Sequence, residues 1–89
     1  MIEKDDLRKI VQDSIDIWNS QGMVIHITEI TDDTPLLGSG IIDSMLTLEL
    51  ICDIEMIFNI EFETEIDRSL VFKTFKSLYD YVNSLYLKK

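Results

Sequence analysis

The sequence predicts an all-α fold with three main helices, one short helix, and a long loop between the first helix and the second. Three observations carry this. Apolar residues recur at helical spacing in three stretches, helix-starting residues stand ahead of them, and all 3 glycines and the 1 proline fall between Gly22 and Gly40.

In the first stretch Leu7, Ile10, Val11, Ile15 and Trp18 share one helical face, and Asp5 and Asp6 stand where the positive end of a helix dipole welcomes acids. The spacing predicts a helix over about 4–19, ended by Ser20-Gln21-Gly22. Residues 23–42 have no helical period. Met23, Ile25 and Ile27 alternate with Val24, His26 and Thr28, but one unpaired strand is not stable alone. A long packed loop is the better reading, tacked to the core by Leu36, Leu37, Ile41 and Ile42. Loops this long inside a small domain are usually functional.

Asp43 is a good N-cap and puts Ser44 in the first turn of a helix over about 44–58, ending near Asn59. Thr47, Leu50, Ile51, Ile54, Ile57 and Phe58 share one arc and are expected in the core. Met45, Leu48, Glu49, Cys52, Glu55 and Met56 fill the opposite arc, so the far side is apolar residues ringed by acids. Such a helix is sandwiched in the core or keeps one side for a partner. Residues 60–66 read as a linker, followed by a short helical turn from about Glu65 to Leu70. Thr74 caps a last helix, where Phe75, Leu78, Val82, Leu85 and Tyr86 keep helical spacing to about residue 87. Lys88 and Lys89 complement its negative end.

Residues 1–89 are expected to form a single domain, too small for a bilobed enzyme with a buried cleft. The net charge of −9 argues against nucleic-acid binding, which needs clustered Lys and Arg. Its distribution is more informative: residues 10–67 contain no Lys or Arg and 13 acids. Such a one-sign field either serves solubility or speeds encounter with a basic partner. The N-terminal residues resemble neither a secretory signal nor a transit peptide, and no apolar run approaches the roughly 20 residues of a spanning helix. The single Cys52 fits a reducing compartment, so a cytoplasmic monomer without membrane insertion is expected.

Nucleophilic catalysis has little to stand on. His26 is the one histidine, in the long loop, and no nucleophile signature accompanies it. One Cys and one His make no zinc site, and from Asp32 the loop puts Leu36 and Leu37 where a calcium loop needs an oxygen ligand and a glycine. Gly38-Ser39-Gly40 is too short to cradle a phosphate. Cys52 reads more readily as a small buried apolar residue than as a reactive thiol. No metal and no catalytic residue are expected.

What remains is Gly40-Ile41-Ile42-Asp43-Ser44-Met45, a serine after a helix-capping aspartate at the end of a long loop. Ser44 reads either as an ordinary helix-start residue, which the local signal alone favours, or as a hydroxyl carrying a phosphodiester at a helix N-terminus. The segment from Leu37 through Asp43-Ser44-Met45 to Phe58-Asn-Ile-Glu-Phe62, and then Phe72-Lys-Thr-Phe75, resembles the acyl carrier protein family over essentially the whole chain.

That resemblance implies a small four-helix bundle with 4′-phosphopantetheine, taken from coenzyme A, esterified to Ser44. The arm's thiol would hold an acyl or aminoacyl group as a thioester for fatty-acid, polyketide or specialised biosynthesis. The carrier itself would catalyse nothing. Asp43 would help present Ser44 to a phosphopantetheinyl transferase, and Leu50, Ile54, Phe58, Val82 and Leu85 would serve the core. Met45, Leu48, Glu49, Cys52, Glu55 and Met56 would meet loading ligases and downstream synthases or transferases with basic docking surfaces. Met56 and Ile57 stand where fatty-acid carriers usually have acids, and Gly40–Met45 with Thr64–Arg68 is similar to D-alanyl carrier proteins. A carrier loaded by a dedicated adenylating ligase is therefore an alternative, as is an unmodified acidic interaction domain on the same fold.

The base-free stretch makes a physical prediction: added salt or magnesium raises the melting temperature by screening the 13 acids. Thermal melts over a salt titration measure this, and a flat response would show that self-repulsion is unimportant.

Overall fold

In the computed structural model, which describes residues 1–22, 30–37 and 44–88, with Ser44 and Met45 described by their backbone, the chain is all-α. Among the described residues the helices are α1 (Lys4–Ser20), α2 (Ser44–Phe58), the short α3 (Arg68–Val71) and α4 (Phe75–Leu87). The radius of gyration is 12.2 Å, close to the roughly 12 Å of a compact chain this long.

Helix α1 follows the apolar spacing: Leu7, Val11, Ile15 and Trp18 are buried, and Ile10 is partly buried against them. Its first turn holds Asp5 and Asp6, and no side chain caps it. After Gln21 the chain leaves through Gly22 at φ +95°, a conformation that favours glycine. The interval between α1 and α2 is long, as expected. Its Ile30 and Leu36 are buried and Leu37 is half-buried. Met23, His26, Ile41, Ile42 and Asp43 lie outside the described residues.

Residues 32–37 are strapped across the start of α4. The N–H groups of Phe75 and Lys76, unsatisfied within the helix, donate to the Thr34 and Asp32 carbonyls (both 3.0 Å). In return Leu36 and Leu37 donate to Lys73 and Phe72 (3.3 and 2.8 Å). Thr74 caps α4 as predicted: its hydroxyl accepts from the Ser77 N–H, and the Ser77 hydroxyl accepts from the Thr74 N–H. Phe75, Leu78, Tyr79 and Val82 form the buried face.

Helix α2 buries Leu46, Thr47, Leu50, Ile51 and Ile54. Its end is set by Asn59, a non-glycine residue at φ 54°, and by the Ile60 N–H donating back to the Glu55 carbonyl (3.2 Å), a Schellman closure. That turn folds Ile60 and Phe62 into the core.

Two expectations are corrected. Ile57, expected in the core, is 59% exposed, because Ile60 and Phe62 fill the core at that end while Ile57 stays on the edge of the arc. The short helix spans Arg68–Val71 and not 65–70, because the capping residue is Asp67, whose carboxylate accepts from the Ser69 N–H (3.0 Å). The Ser69 hydroxyl, which donates to the same carboxylate, holds the Asp67 carboxyl below its usual pKa, with the backbone N–H groups of Ser69 and Leu70 adding to it, so the cap is intact at neutral pH and is lost as pH falls through that lowered value.

Deleting the side chain of Ile54, which is fully buried, should cost about 2–5 kcal/mol as Ile54→Ala, whereas Ile57→Ala should stay within about 0.5 kcal/mol. Urea midpoints of the two variants decide this, and equal losses would contradict the packing at the end of α2.

Candidate functional site

The chemistry-bearing position from the sequence, Ser44, is the first residue of α2, at the end where the helix dipole is positive and backbone N–H groups lack partners within the helix. Asp43 lies outside the described residues, and Ser44 and Met45 are described by backbone alone. Below them α2 presents Leu48, Cys52 and Met56 at successive steps of four, a stripe along one side. Leu48 is 47% exposed, Met56 is 79% exposed, and Cys52 is exposed. The reading of Cys52 as a buried apolar residue is therefore corrected: its place in the stripe opposite Leu50 and Ile54 turns it outwards.

The two glutamates of this arc have internal partners. Trp18 Nε1–H donates to Glu49 Oε2 (2.8 Å), tying α2 to α1 and satisfying a buried indole. Glu55, half-buried, accepts from the Phe62 backbone N–H (2.8 Å) and so braces the turn that its own carbonyl closes. A third acid, Asp53, has Oδ2 3.5 Å from Ser14 Oγ on α1. Sequence reasoning missed these ties. The available signal was the matched spacing of Ser14 and Trp18 on α1 with Glu49 and Asp53 on α2, one turn apart in both helices.

Two open grooves lie beside α2. One, of about 400 Å³, runs between α2 and the 62–68 segment, lined by Leu48, Ile51, Glu55, Phe62, Glu63, Thr64, Ile66 and Arg68. Leu48 lies four residues from Ser44, about 6 Å along the helix. A larger groove of about 630 Å³ is lined by Glu55, Asn59, Ile60, Glu61, Leu85 and Lys88. Its first α2 residue is 11 residues from Ser44, about 16 Å along the axis, so the smaller groove is the nearer of the two to the serine along the helix. The floor of that groove is braced by Tyr81, whose hydroxyl accepts from the Glu63 N–H (3.1 Å) and whose ring meets Phe62 edge-on at 5.2 Å. Burial pushes the Tyr81 phenol above its usual pKa, with Glu63 and Glu55 adding to the shift, so it remains a neutral hydroxyl at physiological pH.

Other sequence candidates are not brought to this site. His26 lies outside the described residues. Among the described residues there is no cluster of three or more His, Cys, Asp or Glu that could hold a metal ion, and no helix is long and apolar enough to cross a membrane. No family model, curated protein or solved structure matches the chain.

Glu49→Ala should leave the Trp18 indole without its acceptor, costing about 1–3 kcal/mol and shifting the emission of the single tryptophan, whereas Glu49→Gln keeps an acceptor oxygen and most of the stability. Urea unfolding followed by fluorescence reads both. Equal loss in the two variants would show that charge, not the hydrogen bond, is what α1 needs.

Proposed function

We propose that this chain is a carrier protein of the acyl carrier type, with 4′-phosphopantetheine esterified to Ser44 and an acyl or aminoacyl group held as a thioester on the arm. The observation that carries this reading is that the serine of the Asp43-Ser44-Met45 motif is the residue at which α2 begins, directly after a long inter-helix segment. A phosphodiester on that residue would sit at the helix end that stabilises negative charge. Asp43, as N-cap, would hold the junction in shape for a phosphopantetheinyl transferase.

The surroundings support the same reading. The Leu48, Cys52 and Met56 stripe starts one turn below Ser44 and offers an apolar surface in an acidic field, suited to enzymes with basic rims around an apolar centre. The chain contributes no catalytic group. A fatty-acyl, polyketide or aminoacyl cargo would be loaded and removed by partner enzymes, among them an adenylating ligase in the aminoacyl case.

Incubation of the apo protein with coenzyme A and a broad-specificity transferase should add one phosphopantetheine by intact mass, and Ser44→Ala should abolish the gain. No gain in the wild type, or an equal gain in the variant, would sink the proposal. The exposure of Leu48 and Met56 also favours a second reading, an unmodified interaction domain, which predicts full activity in the host with Ser44→Ala and loss with Leu48→Glu.

A further inference from the structure

Between Lys9 and Lys73 the sequence holds a single base, Arg68, the first residue of α3. Its guanidinium is in none of the three ion pairs among the described residues, Lys4–Asp32, Arg8–Asp5 and Lys76–Asp80. The acid next to it in the chain, Asp67, is occupied by α3 itself, since its carboxylate accepts from both the N–H and the hydroxyl of Ser69. Arg68 is exposed and α3 has no buried residue, so neither packing nor pairing accounts for a cation at this place.

Its position gives it a use. Arg68 and Leu48 line the same groove of about 400 Å³, and Leu48 lies four residues, about 6 Å along α2, from Ser44. The far wall of that groove is the 62–68 segment, which leaves α2 where the Phe62 N–H is fastened to Glu55 (2.8 Å) and ends at Arg68. Glu55 and Glu63 share the groove, and neither is within ion-pair distance of Arg68. The one cation of the acidic middle therefore stands on the groove nearer to the serine, with no acid of its own.

We infer that Arg68 is the side chain that holds the phosphodiester of an arm on Ser44, an inference that rests on the modification of that serine proposed above. A phosphodiester adds a negative charge to a stretch that already has 13 acids, and the start of α2 answers it with roughly half an elementary charge. Arg68 supplies a full one. Its planar fork of donors matches two phosphate oxygens at once, which a lysine ammonium does not. Arg68 is thus a positioning residue: it draws the root of the arm to the α3 side of α2, away from the α1 side where Glu49 and Asp53 stand, and takes no part in any bond made or broken. The modification in turn gives α3 a second fastening, beside the Ser77 hydroxyl that donates to the Val71 carbonyl (2.8 Å).

The test compares the full chain before and after treatment with coenzyme A and a broad-specificity transferase, with intact mass reporting the modification and thermal melts reporting its effect. Modification should raise the melting temperature of the wild type by about 2–4 °C, the gain expected of one exposed charge pair in a chain this short. Arg68→Gln should lose most of that gain, and Arg68→Lys, which keeps the charge without the fork, about half of it. Leu70→Ser, 64% exposed on the same short helix, should keep the wild-type gain and so separates the charge from a general loosening of α3. The phosphorus NMR resonance of the modified protein should move with Arg68→Gln and stay in place with Leu70→Ser. These side chains are exposed, so melts of the unmodified variants should show each of them folded. A wild type that gains no mass defeats the Ser44 reading and this inference with it. A modified wild type with no gain in melting temperature, a gain that Arg68→Gln retains, or an equal loss in Leu70→Ser defeats the role of Arg68 alone and leaves the Ser44 reading standing.

Discussion

The start of α4 is the joint on which the rest of the fold depends. Phe72 and Phe75 are fully buried there, three residues apart on either side of the Thr74 cap. The 32–37 strap arrives across that cap, exchanging four backbone hydrogen bonds with residues 72–76 and sinking Leu36 into the core. From the other direction α1 lays Lys4 over the Tyr79 ring and Arg8 over the Phe75 ring, both at 5.4 Å. The chain start is fastened beside them by Ile2, whose N–H donates to Asn83 Oδ1 (3.0 Å) and whose carbonyl accepts from the Tyr79 hydroxyl. One helix end thus organises the N-terminus, the inter-helix segment and α3, which runs directly into Phe72.

This arrangement separates the bases from the acids. Lys4, Arg8 and Lys76 gather around the joint and are each paired there with Asp32, Asp5 and Asp80. These pairs are exposed to solvent and add little to stability individually, so their main consequence is placement of charge. Helix α2 itself carries Glu49, Asp53 and Glu55 and no base, while Arg68 and Lys88 line the grooves beside it. Its acids are not a loose decoration: Glu49 holds Trp18, Glu55 holds the Phe62 turn, and Asp53 stands by Ser14. The same carboxylates that give α2 its long-range field also fasten it to its neighbours.

Much of the fold was legible in the residues because it depends on local chemistry. Dipole-compatible acids start α1, Thr74 caps α4, and apolar residues at helical spacing mark the faces that become buried. The candidate site was legible in the same way, as a serine at a loop-to-helix boundary with an apolar, acid-ringed arc below it. Where periodicity failed, the competing cause was tertiary. Ile57 sits on the edge of a core arc, and whether such a residue is buried depends on what arrives beside it; Ile60 and Phe62 arrived first through the Asn59 turn. Ile30 and the buried Ile2 were likewise invisible to a spacing argument, since their burial comes from segments far away in the chain.

What the sequence by itself determined is the set of helices, the Thr74 cap of α4, the base-free acidic middle and the position of Ser44 at the head of α2. These follow from neighbours within a few residues, where hydrogen-bonding and dipole rules act. The tertiary structure alone decided which side of α2 is committed to α1 and which to the 62–68 segment, and so which apolar residues remain in water. That choice rests on contacts such as Trp18 with Glu49, 31 residues apart, and Phe75 with Thr34, 41 apart, whose partners no local pattern names. A helix can announce that it has two apolar sides. Only its neighbours settle which of them is left exposed.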